Sequence, residues 1–178
     1  MSAPTLIAQI SDLHIKRPGA LAYGQVDTAA ALTRCVAALN RFRPRPELVV
    51  ISGDLADTPV AEEYEHLKRL LAPLEIGFAA VPGNHDSREL MRTALSKSPK
   101  GCYAQPGGAL NSLHAVGSLD LILLDSSVPG KPHVQRKRSR PLSAKSGHST
   151  ADHRSIFCLE IASNQIGNFQ IVAFGSLL

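Results

Sequence analysis

The chain has 178 residues, 44% of them apolar, and a formal net charge of +4. That composition suits one globular domain, or a domain with a tail, and excludes an intrinsically disordered chain. No apolar run approaches the roughly 20 residues of a membrane span, and the opening MSAPTLIAQISD lacks the basic region of a signal peptide.

The basic excess is unevenly placed. Residues 1–130 hold 12 Lys/Arg against 13 Asp/Glu, a net of −1, whereas residues 131–178 hold 7 against 2, a net of +5. A nucleic-acid interface would have to sit on the tail at Lys131–Arg154, and such a basic run is more often a solvated segment than a specific surface. Cys35, Cys102 and Cys158 form no CxxC pair and leave one thiol over, which suits a reducing, cytoplasmic setting. Cys35 falls in a helical pattern, as a small core residue would.

In chain order, Thr5–Ile10 (TLIAQI) reads as a buried strand and Val26–Phe42 as a helix, closed by Arg43-Pro44-Arg45-Pro46. Leu48–Ile51 (LVVI) is a second strand. Thr58, Pro59 and Glu62 open a second helix that runs through Leu71. Ile76–Val81 is a third strand, Ser87–Leu95 a third helix capped by Asp86 or Ser87, and Leu119–Leu124 (LDLILL) a fourth strand. Strands alternating with helices imply an α/β layered fold with right-handed crossovers. Across Lys131–Ser155 the periodicity stops and Arg, Lys, Ser, His and Pro crowd together, too polar to offset the entropy of ordering. Beyond it, Ile156–Ala162 and Phe169–Phe174 read as two strands joined in a hairpin.

The chemistry gathers where the first three strands stop. They are followed by Ser11-Asp12-Leu13-His14, by Ser52-Gly53-Asp54-Leu55-Ala56-Asp57 and by Pro82-Gly83-Asn84-His85-Asp86. Open α/β sheets bind ligands beyond the carboxyl ends of their strands. One such cluster is explained by capping, but three together would set unpaired carboxylates against one another unless a cation lies among them. Carboxylate, imidazole and amide donors without thiolate suit Mn, Fe, Zn or Co. Asp12 and His14 are two residues apart, so an extended segment would aim both to one side. Gly53 and Gly83 precede the ligands, as where a backbone turns sharply or approaches an ion.

DLH, GDLAD and GNHD, in that order, resemble the calcineurin-like metallophosphoesterase family. IAQISDLHI, LAYGQVDTAAAL, LVVISGDLAD, VPGNHD and LLDSSVPGKPH further resemble its class III cyclic-nucleotide phosphodiesterase and glycerophosphodiesterase branch, over residues 5 to about 133. The resemblance implies a layered αββα sandwich, here incomplete: the first sheet and its helices over residues 1–130, then an irregular basic tail over 131–178. It also implies two transition-metal ions, about 4 Å apart, that activate water and offset charge on a small phosphodiester such as a cyclic nucleotide. Asp12 and His14 would bind the first metal, Asp54 would bridge both, and Asn84 would bind the second. His85 would contact the substrate phosphate and assist the leaving alkoxide, and Asp57 and Asp86 would orient the ligands.

The family pattern also includes an HHPP-like histidine and a late GHxH pair, and residues 126–178 contain neither. His133 belongs to PGKPH, and His148 and His153 in GHSTADH lack the HxH spacing; these, with His66 and His114, read as ordinary polar or packing residues. A frameshift, a truncation or genuine divergence would each produce such a change of text. The expectation is a phosphodiesterase by descent with impaired activity and one metal retained. Two alternatives are a non-catalytic metal- or nucleotide-binding fragment and a nucleic-acid-binding protein acting through the tail. A half-built sandwich also implies an exposed sheet edge open to self-association.

Overall fold

The apolar runs of the first 125 residues form strands and helices where the pattern places them. The structure is a computed structural model that describes residues 5–95, 101–102, 108–117, 119–127, 155–159 and 168–174, with the backbone alone described for 101–102, 155–159 and 168–174. The order is β1 (Thr5–Ser11), α1 (Thr28–Arg41), β2 (Leu48–Ser52), α2 (Ala61–Leu71), β3 (Phe78–Val81), α3 (Arg88–Leu95), β4 (Gly101–Cys102), β5 (Ser112–Val116), β6 (Leu119–Leu123), β7 (Ser155–Leu159) and β8 (Asn168–Phe174).

Two sheets result: β4-β3-β2-β1-β8, and β5-β6-β7. In the first, β1, β2, β3 and β4 run parallel and β8 closes one edge antiparallel to β1, Thr5 opposite Phe174. Alternate residues of the central strands face opposite cores. Ala8, Ile10, Val49, Ile51, Phe78 and Ala80 pack towards the helices, against Leu32, Val36 and Leu39 of α1, Tyr64 and Leu67 of α2 and Met91 of α3. Ile7, Leu48, Val50, Ala79 and Val81 pack towards Val116, Leu119, Leu121 and Leu123 of the second sheet. Strands covered on both faces need apolar residues at nearly every position, which is why they read as continuous runs. Cys35 is half-buried against the helix-side core, and burial pushes its thiol pKa up.

Beside the first sheet and its helices, a second, three-stranded sheet covers the other face, as the layered sandwich implies. The C-terminal hairpin is corrected. β7 joins the second sheet parallel to β6, while β8 joins the first sheet, so the described residues of the two strands pair elsewhere rather than with each other. Each lies beside an apolar strand of a sheet already begun, with Leu121 among the partners of one and Ile7 among those of the other. β5 was not anticipated, because SLHAV is short and interrupted by His114; it is held by antiparallel pairing across the Gly117 turn. His114 is buried beside Ser112, and burial lowers its pKa. The first two helices start later than expected, at Thr28 and Ala61. Asp27 caps α1 by accepting from Ala30 N at 2.8 Å, and Ser87 caps α3, as expected, by accepting from Leu90 N at 3.3 Å. Thr58 does not cap α2; Glu63 reaches back to the Thr58 N–H instead, at 2.7 Å.

One ion pair ties α3 to the end of β6. Arg88 donates through Nε and Nη2 to Asp125 at 2.6 and 3.0 Å, and the fully buried Asp125 carboxylate also accepts from Leu110 N at 2.8 Å and from the Ser127 hydroxyl at 2.6 Å. Burial pushes the Asp125 pKa up, but these bonds outweigh it and hold the carboxyl below its ordinary range. A depressed folded-state pKa stabilises above the unfolded value, near 4, and that contribution is lost as pH falls through the folded one. Asp125→Asn is therefore expected to cost about 2–3 kcal/mol at neutral pH. It should also flatten the loss of stability below about pH 5 in urea melts.

Candidate metal centre

Because β1, β2 and β3 are parallel neighbours, their carboxyl ends share one edge. Backbone bonding continues past the strands: Asp12 N–H donates to Gly53 O at 3.1 Å, His14 N–H to Asp54 O at 2.9 Å and Gly53 N–H to Val81 O at 3.0 Å. The chain there is not extended. Asp12 (φ 57°), His14 (φ 42°), Gly53 (φ 89°) and Asp54 (φ 51°) are all left-handed. Such a backbone costs roughly 1–3 kcal/mol per non-glycine residue and persists where the surroundings impose it, commonly at functional sites. The alternation expected for Asp12 and His14 is thus corrected: two left-handed residues, not a strand period, bring both to the site. Leu13 between them packs against the helix-side core.

Asp12, His14 and Asp54 are all buried, and each offers a ligand atom within 4.8 Å of the others. His14 Nε2 lies 3.9 Å from Asp54 Oδ2. On its other side His14 Nδ1, buried and without a hydrogen bond among the described residues, lies 3.4 Å from Asp57 Oδ1. His14, Asp57 and His85 form a second group within the same 4.8 Å limit. The His85 ring meets His14 edge-on, centroids 4.8 Å apart. Its backbone N–H donates to Asp54 Oδ1 at 3.0 Å, and its Nδ1 contacts Asp57 O at 2.9 Å. A carbonyl only accepts, so that bond puts the ring proton on Nδ1 and leaves Nε2 available. Asn84 is exposed in the turn between Gly83 and His85.

Asp57 and Asp86 sit behind this group. The Asp57 carboxylate is ion-paired to the Lys16 ammonium, and this hydrogen bond raises the Lys16 pKa against the opposing effect of burial. Asp86 joins loops: its carboxylate accepts from Gly83 N at 2.9 Å, Leu55 N at 3.0 Å, Ala56 N at 3.1 Å and the Tyr64 hydroxyl at 2.9 Å. Burial pushes its pKa up while these four bonds pull the other way. Lys16 and Tyr64 carry no mark in the sequence. Lys16 looks like a surface cation, and Tyr64 occupies an apolar position of an amphipathic helix. His66 contacts Lys16 O through Nδ1 at 2.7 Å, as a packing residue. His133, His148 and His153 lie outside the described residues.

Two carboxylates and an imidazole buried together are costly to leave desolvated, and a cation among them removes the cost. Oxygen and nitrogen donors without thiolate, with His14 Nε2 turned towards Asp54, fit Mn, Fe, Zn or Co.

The sequence description of calcineurin-like phosphoesterases matches residues 5–159, running through β7 and past residue 133. A probable glycerophosphodiester phosphodiesterase of Arcobacter nitrofigilis is 34% identical over 128 residues, covering 72% of this chain and 46% of the relative. A 3′,5′-cyclic adenosine monophosphate phosphodiesterase of Pseudomonas aeruginosa is 35% identical over 129 residues, covering 72% and 44%. A cAMP/cGMP dual specificity phosphodiesterase of Mycobacterium tuberculosis is 32% identical over 140 residues, covering 76% and 42%. The chain thus spans a little under half the length of these curated relatives. With most of its residues matched, and the DLH, GDLAD and GNHD side chains gathered at one sheet edge, the chain belongs to the calcineurin-like phosphoesterase family.

Proposed function

We propose that this chain carries one part of a metal-dependent phosphodiester hydrolase acting on small substrates, 3′,5′-cyclic nucleotides or glycerophosphodiesters. The observation that carries this reading is the buried Asp12, His14 and Asp54 group, with His85 packed against it. The substrate class follows the relatives, a probable glycerophosphodiester phosphodiesterase and two cyclic-nucleotide phosphodiesterases. When bound, transition-metal ions at such a site neutralise phosphate charge and make water a stronger nucleophile.

The chain's own residues divide the remaining work. Asp12, His14 and Asp54 would hold the first ion, with Asp54 shared towards a second that Asn84 would bind through its amide oxygen. Asp57 orients two histidines: its carboxylate faces His14 Nδ1 and its carbonyl faces His85 Nδ1. Lys16 anchors that carboxylate. His85 serves the substrate. With Nδ1–H held by the Asp57 carbonyl, protonation at Nε2 gives an imidazolium that can donate to a phosphate oxygen or the departing alkoxide.

The reading includes impaired turnover. Residues 126–178 lack the HHPP-like and GHxH histidines, so three nitrogen donors of the family pattern have no counterpart in this sequence. The test is equilibrium dialysis with Mn(II), followed by hydrolysis of 3′,5′-cyclic AMP and bis(p-nitrophenyl) phosphate in excess Mn(II). At most one ion per chain and near-background hydrolysis are expected. Two tightly held ions with sustained turnover would overturn the impairment, and no uptake at all would overturn the metal site.

A further inference from the structure

Tyr64 is fully buried on α2, where a phenylalanine would satisfy the apolar pattern equally well. Its hydroxyl donates to Asp86 Oδ1 at 2.9 Å and accepts from Ser87 N–H at 2.8 Å. The same Asp86 carboxylate receives Leu55 N and Ala56 N from the loop after β2, and Gly83 N from the loop after β3. One of these loops bears Asp54 and Asp57; the other bears Asn84 and His85. Among the described residues four groups donate to Asp86, and of these Tyr64 alone is a side chain, delivered by a helix packed into the core. The arrangement therefore refers the spacing of the two ligand loops to a rigid element. Buried and beside a carboxylate, the Tyr64 phenol has its pKa pushed far above its ordinary value, so it stays an O–H donor.

We propose that Tyr64 is a positioning residue of the metal centre, which acts through Asp86 to hold the loop bearing Asp54 in register with the loop bearing His85. The proposal rests on the metal-centre reading above. Loss of the hydroxyl leaves Asp86 with its three backbone donors and the core volume filled, so the fold survives. It strands the Ser87 N–H and leaves Asp86 Oδ1 held by Ala56 N–H without the anchor from α2, which loosens the junction at the end of β3. Altering a group that orients metal ligands commonly weakens metal affinity about 10–100-fold.

The test uses the full chain as Tyr64→Phe, with Leu67→Ala as a control. Leu67 is equally buried on the same helix face, one turn on, and packs in the apolar core. Mn(II) binding is read from the free-ion electron paramagnetic resonance signal, coordination from the visible spectrum of the Co(II)-loaded chain, and stability from melting of the metal-free chain. Tyr64→Phe should weaken Mn(II) binding about 10–100-fold and shift the Co(II) bands, with the smaller fall in melting temperature. Leu67→Ala should melt lower yet keep its Co(II) spectrum and bind Mn(II) within about threefold of the unaltered chain. Wild-type affinity and an unchanged spectrum in Tyr64→Phe would overturn the proposal and leave the metal site standing. Affinity losses that simply follow melting temperature across the two variants would also overturn it. Failure of the unaltered chain to take up Mn(II) would remove the metal-centre reading and this proposal with it.

Discussion

The Asp54→Asn chain is expected to fold as the parent does and to lose metal uptake. The substitution preserves shape: asparagine adopts the left-handed backbone found at position 54 (φ 51°) at least as readily as aspartate. Its amide oxygen can still accept the His85 N–H, now 3.0 Å from Asp54 Oδ1. Only the charge goes, and it leaves a nearly dry position close to a second buried carboxylate, Asp12. In the metal-free protein that removal relieves repulsion, so the apparent melting temperature should hold or rise by a few degrees. In Mn(II) the order reverses. The parent gains stability as RT ln(1 + [Mn]/Kd), about 2.7 kcal/mol at a hundredfold excess over Kd, and the variant gains none. Thermal melts with and without Mn(II) separate the two effects. A variant that shows the parent's metal-dependent shift would sink the assignment of Asp54, and with it the shared ligand on which a two-ion site depends.

Much of this site was legible because strand ends in a parallel sheet are fixed by hydrophobic pattern alone. TLIAQI, LVVI and FAAV are apolar almost throughout because both faces are covered, and the polar residues next after each run must emerge at the same edge. The left-handed turns were not legible. Aspartate and histidine occur in them without a sequence mark, and only Gly53 carries one. The remaining strand pairings were hidden for another reason. His114 interrupts the apolar alternation of β5, and β7 and β8 choose partners more than 30 residues away rather than each other. Non-local pairing of that kind depends on which apolar faces remain uncovered once the first strands have assembled. Tyr64 and Lys16 illustrate a third limit: a buried hydroxyl and a half-buried ammonium take their roles from Asp86 and Asp57, residues 22 and 41 positions away.

Among the described glycines Gly83 meets the closest backbone contact, and the reason differs from the one its position before Asn84 suggests. Glycine there was expected to provide a sharp turn or room for an ion; the left-handed backbone belongs to Gly53 instead (φ 89°). Gly83 is needed because the loop after β2 lies directly against it. A methyl group at Gly83 would overlap both Asp54 Oδ1 and the Asp54 backbone nitrogen, and would stand 2.9 Å from Asp54 Cγ. Side-chain rotation could relieve the first clash, never the second, because the Asp54 nitrogen follows Gly53, which is bonded to Asp12 just past β1 and to Val81 of β3. Gly53 cannot give way either, since a Cβ there would itself be 3.1 Å from Gly83 Cα. The two loops must part. Parting them strains the Asp86 bonds to Gly83 N, Leu55 N and Ala56 N and pulls Asp54 away from His14. Overpacking of this sort costs about 1–3 kcal/mol, occasionally more, and in a chain of this size each kcal/mol is worth roughly 2–4 °C. Gly83→Ala should therefore melt about 5–10 °C below the parent and bind Mn(II) at least a hundredfold more weakly, a loss on the order of 3 kcal/mol. Calorimetry and dialysis measure both. Parent-like Mn(II) affinity in a folded Gly83→Ala chain would mean that the loops separate without moving the ligands, and that the packing of Gly83 on Asp54 has no part in building the site.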